Sequence, residues 1–241
     1  MKRWLATCVG VCATAFATVV YSEEVNLARN EKAAEQSVAA LILTEVYQKI
    51  GITPIIQPLP GARANLVTLA GDKDGEVARI ATYVVKNPTL IKIEPGYYHL
   101  VSTAFAKADQ NITIKSSADL KKYRVGIVRG IAHAKVASEG VAVVEEVTTY
   151  QQMFQMLDAG RIDVAIDTGI NGAYMVKKMG LADVKPVGEL GRLELFHILA
   201  PKKSSLAPKV AATLKALKSS GDLDRMVAKH ERAFLKSGAE P

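Results

Sequence analysis

The stretch GDKDGEVARI, residues 71–80, carries three carboxylates and two basic side chains within ten positions. It stands between a segment with helical spacing and an apolar segment. Charged side chains at this density seldom belong to a hydrophobic core, because an unpaired charge is costly to bury. The sequence therefore predicts either a solvated turn here or the polar rim of a cleft in which Arg79 meets an anionic group.

The segments that precede this stretch follow the order strand, helix, strand. Residues 25–28 form a short apolar run. In residues 38–50, apolar side chains recur at helical spacing as far as Gly51, a residue type that commonly ends helices. Residues 52–57 are apolar again, and residues 62–70 return to helical spacing. This alternation predicts a parallel α/β sheet.

Two strands in the second half of the chain end where a helix begins. The run VGIV, residues 125–128, is followed by residues 129–133, which open a helix and so present unpaired backbone N–H groups to an anion. The run IDVAID, residues 162–167, ends in the carboxylate of Asp167 before Thr168 caps the next helix. Open parallel sheets bind ligands at these carboxyl ends of their strands, so both places are candidate sites.

The remaining segments are extended pieces and C-terminal helices. Residues 90–105 are β-prone and broken by Pro95-Gly96, which predicts the connection out of a first lobe. Residues 184–187 and 194–199 are two further extended pieces. Two helical segments then end the chain.

The first 22 residues have the pattern of a secretory signal peptide. The basic start MKR precedes a small, apolar run over residues 5–20 and a small-residue cleavage site that ends at Ser22. A cut after Ala17 is the alternative, and a lipoprotein signal at Cys8 is a rival that the short apolar run before it disfavours. No later segment reaches the roughly eighteen apolar residues of a spanning helix. The sequence therefore predicts a secreted, soluble mature protein and not an anchored one.

Composition places the secreted chain among ordinary globular proteins. The 241 residues are 49% hydrophobic and 23% charged. Both cysteines, Cys8 and Cys12, lie in the predicted signal, which excludes a disulfide or a thiolate metal site from the secreted chain. Without Lys2 and Arg3, 29 basic residues stand against 24 acidic ones, a formal charge of +5 instead of +7. This excess is scattered in pairs instead of forming a basic stripe, which argues against nucleic acid as a partner.

Four segments together resemble the amino-acid-type extracellular solute-binding proteins, the periplasmic receptors of ABC importers. They are LAGDKDGEVARI, SADLKKYRVGIVRG, MLDAGRIDVAIDT and the lysine-rich pair of helices over residues 200–235. The resemblance covers nearly the whole secreted chain. It implies a two-lobed α/β fold of type II, in which each lobe is a mostly parallel sheet flanked by helices and two hinge strands join the lobes. Lobe 1 would hold residues 23–105 and 196–241, and lobe 2 residues 106–195.

The resemblance also implies a ligand site between the lobes. In such proteins an arginine of the first lobe binds the carboxylate of the ligand, and Arg79 and Arg63 are the two candidates here. Asp167 would face the amino group of the ligand. The position of His133, two residues into the predicted helix, leaves two alternatives, a donor to the ligand or a side chain on the surface. Backbone groups that would cover the anion belong to Gly130, Ile131 and Ala132.

Two spacings depart from the pattern of that family and indicate a divergent subgroup. Arg79 follows Asp74 by only five residues, and Asp167 follows Asp163 by only four. Each proposed ligand residue also has a structural alternative. The alternative for Arg79 is a surface salt bridge with Asp74 or Glu76. The alternative for Asp167 is the role of a helix N-cap.

Sequence motifs of catalysis are absent from the secreted chain. It has no cysteine, no GxSxG, no HExxH and no P-loop. Its four histidines are too scattered for a zinc site, and the acidic run at residues 72–76 lacks the spacing of a calcium loop. The sequence therefore predicts a monomeric receptor, not an enzyme, without cofactor or metal. Its partners would be a small polar ligand, amino-acid-like or a carboxylate, and the inner-membrane permease of an ABC importer. The alternative is the same fold used as a periplasmic sensor or partner-binding module without transport.

Overall fold

The computed structural model describes residues 23–241, so the predicted signal peptide lies outside the described residues. The described chain alternates strands with helices. The strands are β1 Asn26–Asn30, β2 Ile55–Leu59, β3 Gly75–Ile80, β4 Ile91–Lys92, β5 Tyr98–Lys107, β6 Arg124–Val128, β7 Val143–Val147, β8 Val164–Thr168 and β9 Val184–Leu199. The α-helices are α1 Ala34–Gln48, α2 Gly61–Leu69, α3 Thr82–Lys86, α4 Ala132–Ala137, α5 Tyr150–Asp158, α6 Gly169–Met179, α7 Ala207–Ser219 and α8 Asp222–Ser237. Within residues 23–241, no helix is long and apolar enough to cross a membrane.

The strands form one curled sheet with the order β2-β1-β3-β9-β5-β8-β6-β7, and β4 also pairs with β9. Two groups of three parallel strands stand at its ends. In one group β1 lies between β2 and β3, and in the other β6 lies between β7 and β8. Each group is followed by one antiparallel neighbour, β9 beside β3 and β5 beside β8. The predicted two-lobed α/β fold is confirmed.

Strands β5 and β9 connect the two lobes. They pair antiparallel along their length, from Tyr98 opposite Leu195 to Lys107 opposite Val184. The C-terminal end of β9 joins β3 and β4 of one lobe, whereas residues 102–105 of β5 join β8 of the other. The predicted lobe boundaries at residues 105 and 196 fall within these two strands and stay predictions.

Strand β9 is longer than the two extended pieces that the sequence predicts. It runs unbroken over sixteen residues, although Pro186, Gly188 and Gly191 interrupt its apolar pattern. The pairing with β5 shifts register twice, near Gly191 and near Gly188. A register shift of this kind accommodates an extra residue while the strand continues. The breaks in the sequence are therefore bulges of one connecting strand and not loops.

The charged stretch over residues 71–80 forms a turn and then a buried strand. The turn includes Gly71 at φ +83°, and β3 begins at Gly75. Glu76 is 1% exposed and Asp74 6% exposed, so the expectation of a solvated turn or cleft rim is wrong for these two carboxylates. Asp74 accepts the N–H of Asn26 at 2.7 Å and pairs with Lys202 at 2.8 Å. Each charge is buried because the fold supplies it with a partner.

His197 joins three elements of the first lobe through a fully buried imidazole. Its Nδ1 lies 2.8 Å from the carbonyl oxygen of Glu76, and its Nε2 lies 2.8 Å from the hydroxyl of Tyr47. A carbonyl oxygen only accepts, so Nδ1 carries the proton and Nε2 accepts from the Tyr47 hydroxyl. Burial lowers the pKa of His197 to about 4, which keeps the ring neutral at pH 7.

We expect this imidazole to make folding sensitive to acid. The unfolded chain binds a proton near pH 6.5, but native His197 does not until about pH 4, so native stability falls as the pH drops through this window. At about 1.4 kcal/mol per pKa unit, the loss approaches about 3 kcal/mol. The variant His197→Asn keeps a donor for Glu76 and has no titrating ring. Urea unfolding of both proteins at pH 7, 6, 5 and 4 measures the difference, and parallel pH dependences would contradict the assignment.

Candidate functional site

Two cavities lie on opposite faces of the connecting strands. Successive side chains of a strand point to opposite faces, and Leu100 and Ser102 of β5 line one cavity while Val101 and Thr103 line the other. The front cleft, about 880 Å³, is lined chiefly by residues 30–33, 130–133 and 190–193. The back cavity, about 720 Å³, lies between α6, α8 and the same two strands. The front cleft is the one that receives loops from both lobes.

Four residues predicted for the ligand site line the front cleft together. Strand β6 ends at Val128, and the chain turns through Gly130, whose φ of +83° favours glycine. Helix α4 then begins at Ala132, and the first N–H groups of a helix have no partner within it. The predicted residues on this wall are Gly130, Ile131, Ala132 and His133.

His133 ties the start of α4 to a connecting strand. Its Nδ1 lies 3.0 Å from Oγ of Ser102 in β5, and both side chains line the front cleft. Burial lowers the pKa of His133 to about 4, so the ring is neutral at pH 7. A neutral imidazole offers a ligand one donor or one acceptor and no charge.

Arg79 lies behind the wall of the front cleft and outside its lining. It pairs with the buried Glu76, and its Nε lies 2.5 Å from Oε2 of that residue. Its guanidinium also stacks on the ring of Tyr83, 4.7 Å from the centroid, and Nη2 reaches the carbonyl oxygen of Gly61 at 3.4 Å. Gly61 itself lines the cleft. The salt bridge weighed as the alternative is thus present, but in a half-buried cluster and not on the open surface.

The other two predicted residues also lie outside the front cleft. Arg63 is exposed on α2. Asp167 is fully buried at the end of β8, where its carboxylate accepts the N–H of Thr168 at 2.7 Å and Nδ2 of Asn171 at 2.7 Å. Burial raises the pKa of Asp167 well above its usual value, and these two hydrogen bonds counter only part of the rise. The ligand roles of Arg79, Arg63 and Asp167 stay predictions.

Glu35 is a candidate that the sequence did not single out. It stands in the first turn of α1 and lines both cavities. Oγ1 of Thr168, at the start of α6, donates to its carboxylate at 3.4 Å. Burial raises the pKa of Glu35. The rule that ligands bind beyond the carboxyl ends of parallel strands points to Glu35, because β1 ends at Asn30, five residues before it.

Charges of both signs meet at the front cleft. Lys32 and Arg192 supply cations, and Glu31 and Glu35 supply carboxylates. Arg192 lies on β9 opposite Val101, is half-exposed and pairs with Glu189 at 3.3 Å. No group of three or more histidine, cysteine or acidic side chains among residues 23–241 is placed to hold a metal ion.

Comparisons with known proteins bear on the fold. No family model matches the sequence. An uncharacterized protein of Shewanella oneidensis is 27% identical over 203 residues, which is 81% of this chain and 76% of that protein. An ancestral cationic amino acid solute binding protein superposes with a TM-score of 0.70 at 17% identity, covering 86% of this chain and 94% of its own.

Two further solved structures share the fold. One is an amino acid ABC transporter substrate-binding protein of Streptococcus pneumoniae bound to L-arginine, with a TM-score of 0.64, 16% identity and coverage of 88% and 96% of the two chains. The other is a histidine kinase sensor domain with similarity to periplasmic binding proteins, with a TM-score of 0.64, 15% identity and coverage of 86% and 96%. The fold of this chain is therefore the one that amino-acid-binding receptors and sensor domains share.

Proposed function

We propose that this chain, which has the fold of the amino-acid-type solute-binding proteins, is a periplasmic receptor that captures a small polar molecule between its lobes. The ligand would be amino-acid-like or a carboxylate. The observation that carries the proposal is the front cleft, where the start of α4 from one lobe faces the charged segment of residues 31–35, which leads into α1, of the other. A zwitterion fits this cleft, because its carboxylate can face the start of α4 while its amino group faces the carboxylates of residues 31–35.

The front cleft suggests how each end of such a ligand is held. The carboxylate would meet the N–H groups at the start of α4, with Arg192 or Lys32 nearby as a cation. The amino group would face Glu35, whose burial is favourable only with a partner. Arg79 would join the site if its pair with Glu76 rearranged.

Closure of the lobes follows from this arrangement. A ligand that contacts both lobes binds the closed form more tightly than the open one and so shifts the population toward closure. Strands β5 and β9 would act as the hinge, with lobe boundaries near residues 105 and 196. The closed form would then dock on the permease of an ABC importer, to which the protein comes as a monomer after removal of residues 1–22. No chemical change of the ligand is part of this function.

A screen of amino acids and small carboxylates tests the receptor function. We expect at least one compound at millimolar concentration to raise the melting temperature of the secreted protein, because a ligand at 1,000 times its Kd adds about 4 kcal/mol to the free energy of unfolding. Circular dichroism is the suitable readout, since the sole tryptophan, Trp4, lies in the predicted signal. Calorimetry then gives the affinity. No stabilisation by any compound would count against the proposal.

A single carboxylate at the start of α4 tests the anion site. We expect Ala132→Glu to weaken the binding of a carboxylate ligand at least tenfold, because the new charge occupies the helix N-terminus and repels the anion. The fold should tolerate it, since a carboxylate at a helix N-terminus is favourable by about 0.3–1 kcal/mol. Ala132→Gln is the neutral control of nearly the same size. It adds no charge at the helix N-terminus, so it should bind the ligand within about threefold of the parent. Equal affinities of the two variants would exclude the start of α4 as the anion site.

A periplasmic sensor is the second candidate function. The likeness to a histidine kinase sensor domain favours it, because that structure shares the fold as fully as the importer receptor does. The genes beside this one separate the two functions: a permease and an ATPase support import, and a signalling protein supports sensing. Both functions use the same front cleft.

A further inference from the structure

We propose that the back cavity is a second ligand site, which takes a small, mainly apolar molecule with one positive charge, such as an arylalkyl amine, and opposes closure of the front cleft. The binding part of this inference stands by itself. The coupling part rests on the closing motion in the proposed function.

The walls of the back cavity are largely apolar and come from elements of both lobes. Helix α6 packs on β5 and β8, whereas α8 packs on α1 and α7. The cavity lies between these two helices, with the connecting strands as its floor. Its volume of about 720 Å³ falls within the range of small-molecule sites. Apolar side chains that line it include Val101, Phe105, Ile170, Val176, Val184 and Leu235.

Carboxylates predominate among the charged groups that line this cavity. The described lining holds Glu35, Glu189 and Glu231 against one arginine, Arg232. Glu231 accepts from the Tyr98 hydroxyl at 2.8 Å, which fixes its carboxylate at the wall. An amine entering the cavity thus meets the negative charge of Glu231, in apolar surroundings where a charge pair is strong.

Histidine adds no competing positive charge to this wall at neutral pH. His99, which lines the cavity, has its pKa lowered by burial and then by the neighbouring Arg192. The direction of this shift agrees with the geometric argument for a cation.

The position of the back cavity predicts the sign of its coupling to the front cleft. The two cavities lie on opposite faces of the strands about which the lobes bend, so a rotation that narrows the front cleft must widen the back cavity. Helices α6 and α8 already touch through the rings of Tyr174 and Phe234, 5.6 Å apart, and Nζ of Lys177 donates to the carbonyl oxygen of Leu235. A molecule that contacts both helices adds to these links and holds the lobes at their present angle. It therefore competes with closure.

The site is tested with 2-phenylethylamine as a probe and methyl NMR of the secreted protein as the readout. We expect millimolar probe to shift the methyl signals of Val101, Ile170, Val176 and Leu235 and to leave those of Ile131 and Leu193, in the front cleft, unchanged. The neutral isostere 2-phenylethanol should bind at least fivefold more weakly. Shifts confined to the front cleft, or no shifts at all, would overturn the site.

Matched variants locate the binding and its charge preference. Glu231→Gln should weaken the amine at least fivefold, whereas Glu139→Gln, an exposed carboxylate outside both cavities, should not. Ala228→Phe should fill the cavity and abolish binding, and Ala216→Phe on the exposed face of α7 is its control. Equal binding by the Glu231→Gln variant and the parent would overturn the cation preference.

The coupling is measured separately with a front-cleft ligand from the screen. Saturating amine should weaken that ligand at least threefold in the parent and leave it unchanged in Ala228→Phe. Unchanged affinity in the parent would overturn the coupling and leave the second site. If the screen yields no front-cleft ligand, the proposed function fails, but the NMR titration still decides whether the back cavity binds the amine.

Discussion

Gly75→Ala should lower the free energy of unfolding by about 3 kcal/mol or more, at the upper end of the range for overpacking a core. A Cβ atom at Gly75 would lie 2.1 Å from the carbonyl oxygen of Ile198 and 3.1 Å from Cα of Leu199. Both are backbone atoms of β9, so no side-chain rotation relieves the contact. The alanine must push β3 away from the C-terminal end of β9, inside the first lobe.

Gly191→Ala is the matched control for this result. It lies on the same strand β9, a Cβ there meets nothing within 4 Å, and its backbone is not in the left-handed region. We expect a change within about 0.5 kcal/mol, as for surface substitutions in general. Urea unfolding followed by far-ultraviolet circular dichroism compares the two variants. Similar midpoints would show that β3 and β9 separate easily, contrary to the packing described here.

Breaking the pair of Glu76 and Arg79 should cost more than removing both partners. Arg79→Met leaves the carboxylate of Glu76, 1% exposed, without its cation, and we expect a loss of about 3–5 kcal/mol. Glu76→Leu should cost less, because the Arg79 side chain is 16% exposed and can turn its charge toward water. Tyr83 keeps the hydrogen bond that its hydroxyl donates to Asn65 at 2.6 Å.

The double variant is the decisive comparison. Glu76→Leu with Arg79→Met leaves no stranded charge, and we expect it to lie within about 2 kcal/mol of the parent, since apolar replacement of a buried pair is often close to neutral. A double-mutant cycle from urea unfolding gives the coupling energy. Additive losses would mean that the two charges do not stabilise each other. The cycle also gives a clean test of the predicted ligand role, because weaker ligand binding in the double variant than in Glu76→Leu reports the contact of Arg79 itself.

The order of strands and helices is predictable from local patterns in this sequence. Each lobe begins with apolar runs separated by a helix with apolar spacing, and such patterns depend only on neighbours in the chain. The sequence predicts β9 in two pieces for the same reason, because Gly188 and Gly191 resemble turn residues when the partner strand is not known. Pairing with β5 along the full length is what makes them bulges.

Buried charges mark the limit of local reasoning. Asp74 is buried because Asn26 and Lys202 reach it from distant parts of the chain, and no spacing within residues 71–80 indicates this. The ligand site shows the same division. Residues 130–133 can be recognised in the sequence, because an apolar strand leads directly into a helix there. Glu35 and Arg192 are brought to the same cleft only by the fold.

The antiparallel neighbour of β3 has a consequence for the order in which this protein is made. Glu76 pairs with Ile198, so the first lobe lacks a central strand until nearly the whole chain has been synthesised. Contacts so distant in sequence slow folding, because a long loop must close before they form. The first lobe of a nascent chain therefore cannot complete its sheet until β9 has emerged, whereas β5, β6, β7 and β8 of the other lobe are already present and can pair with one another.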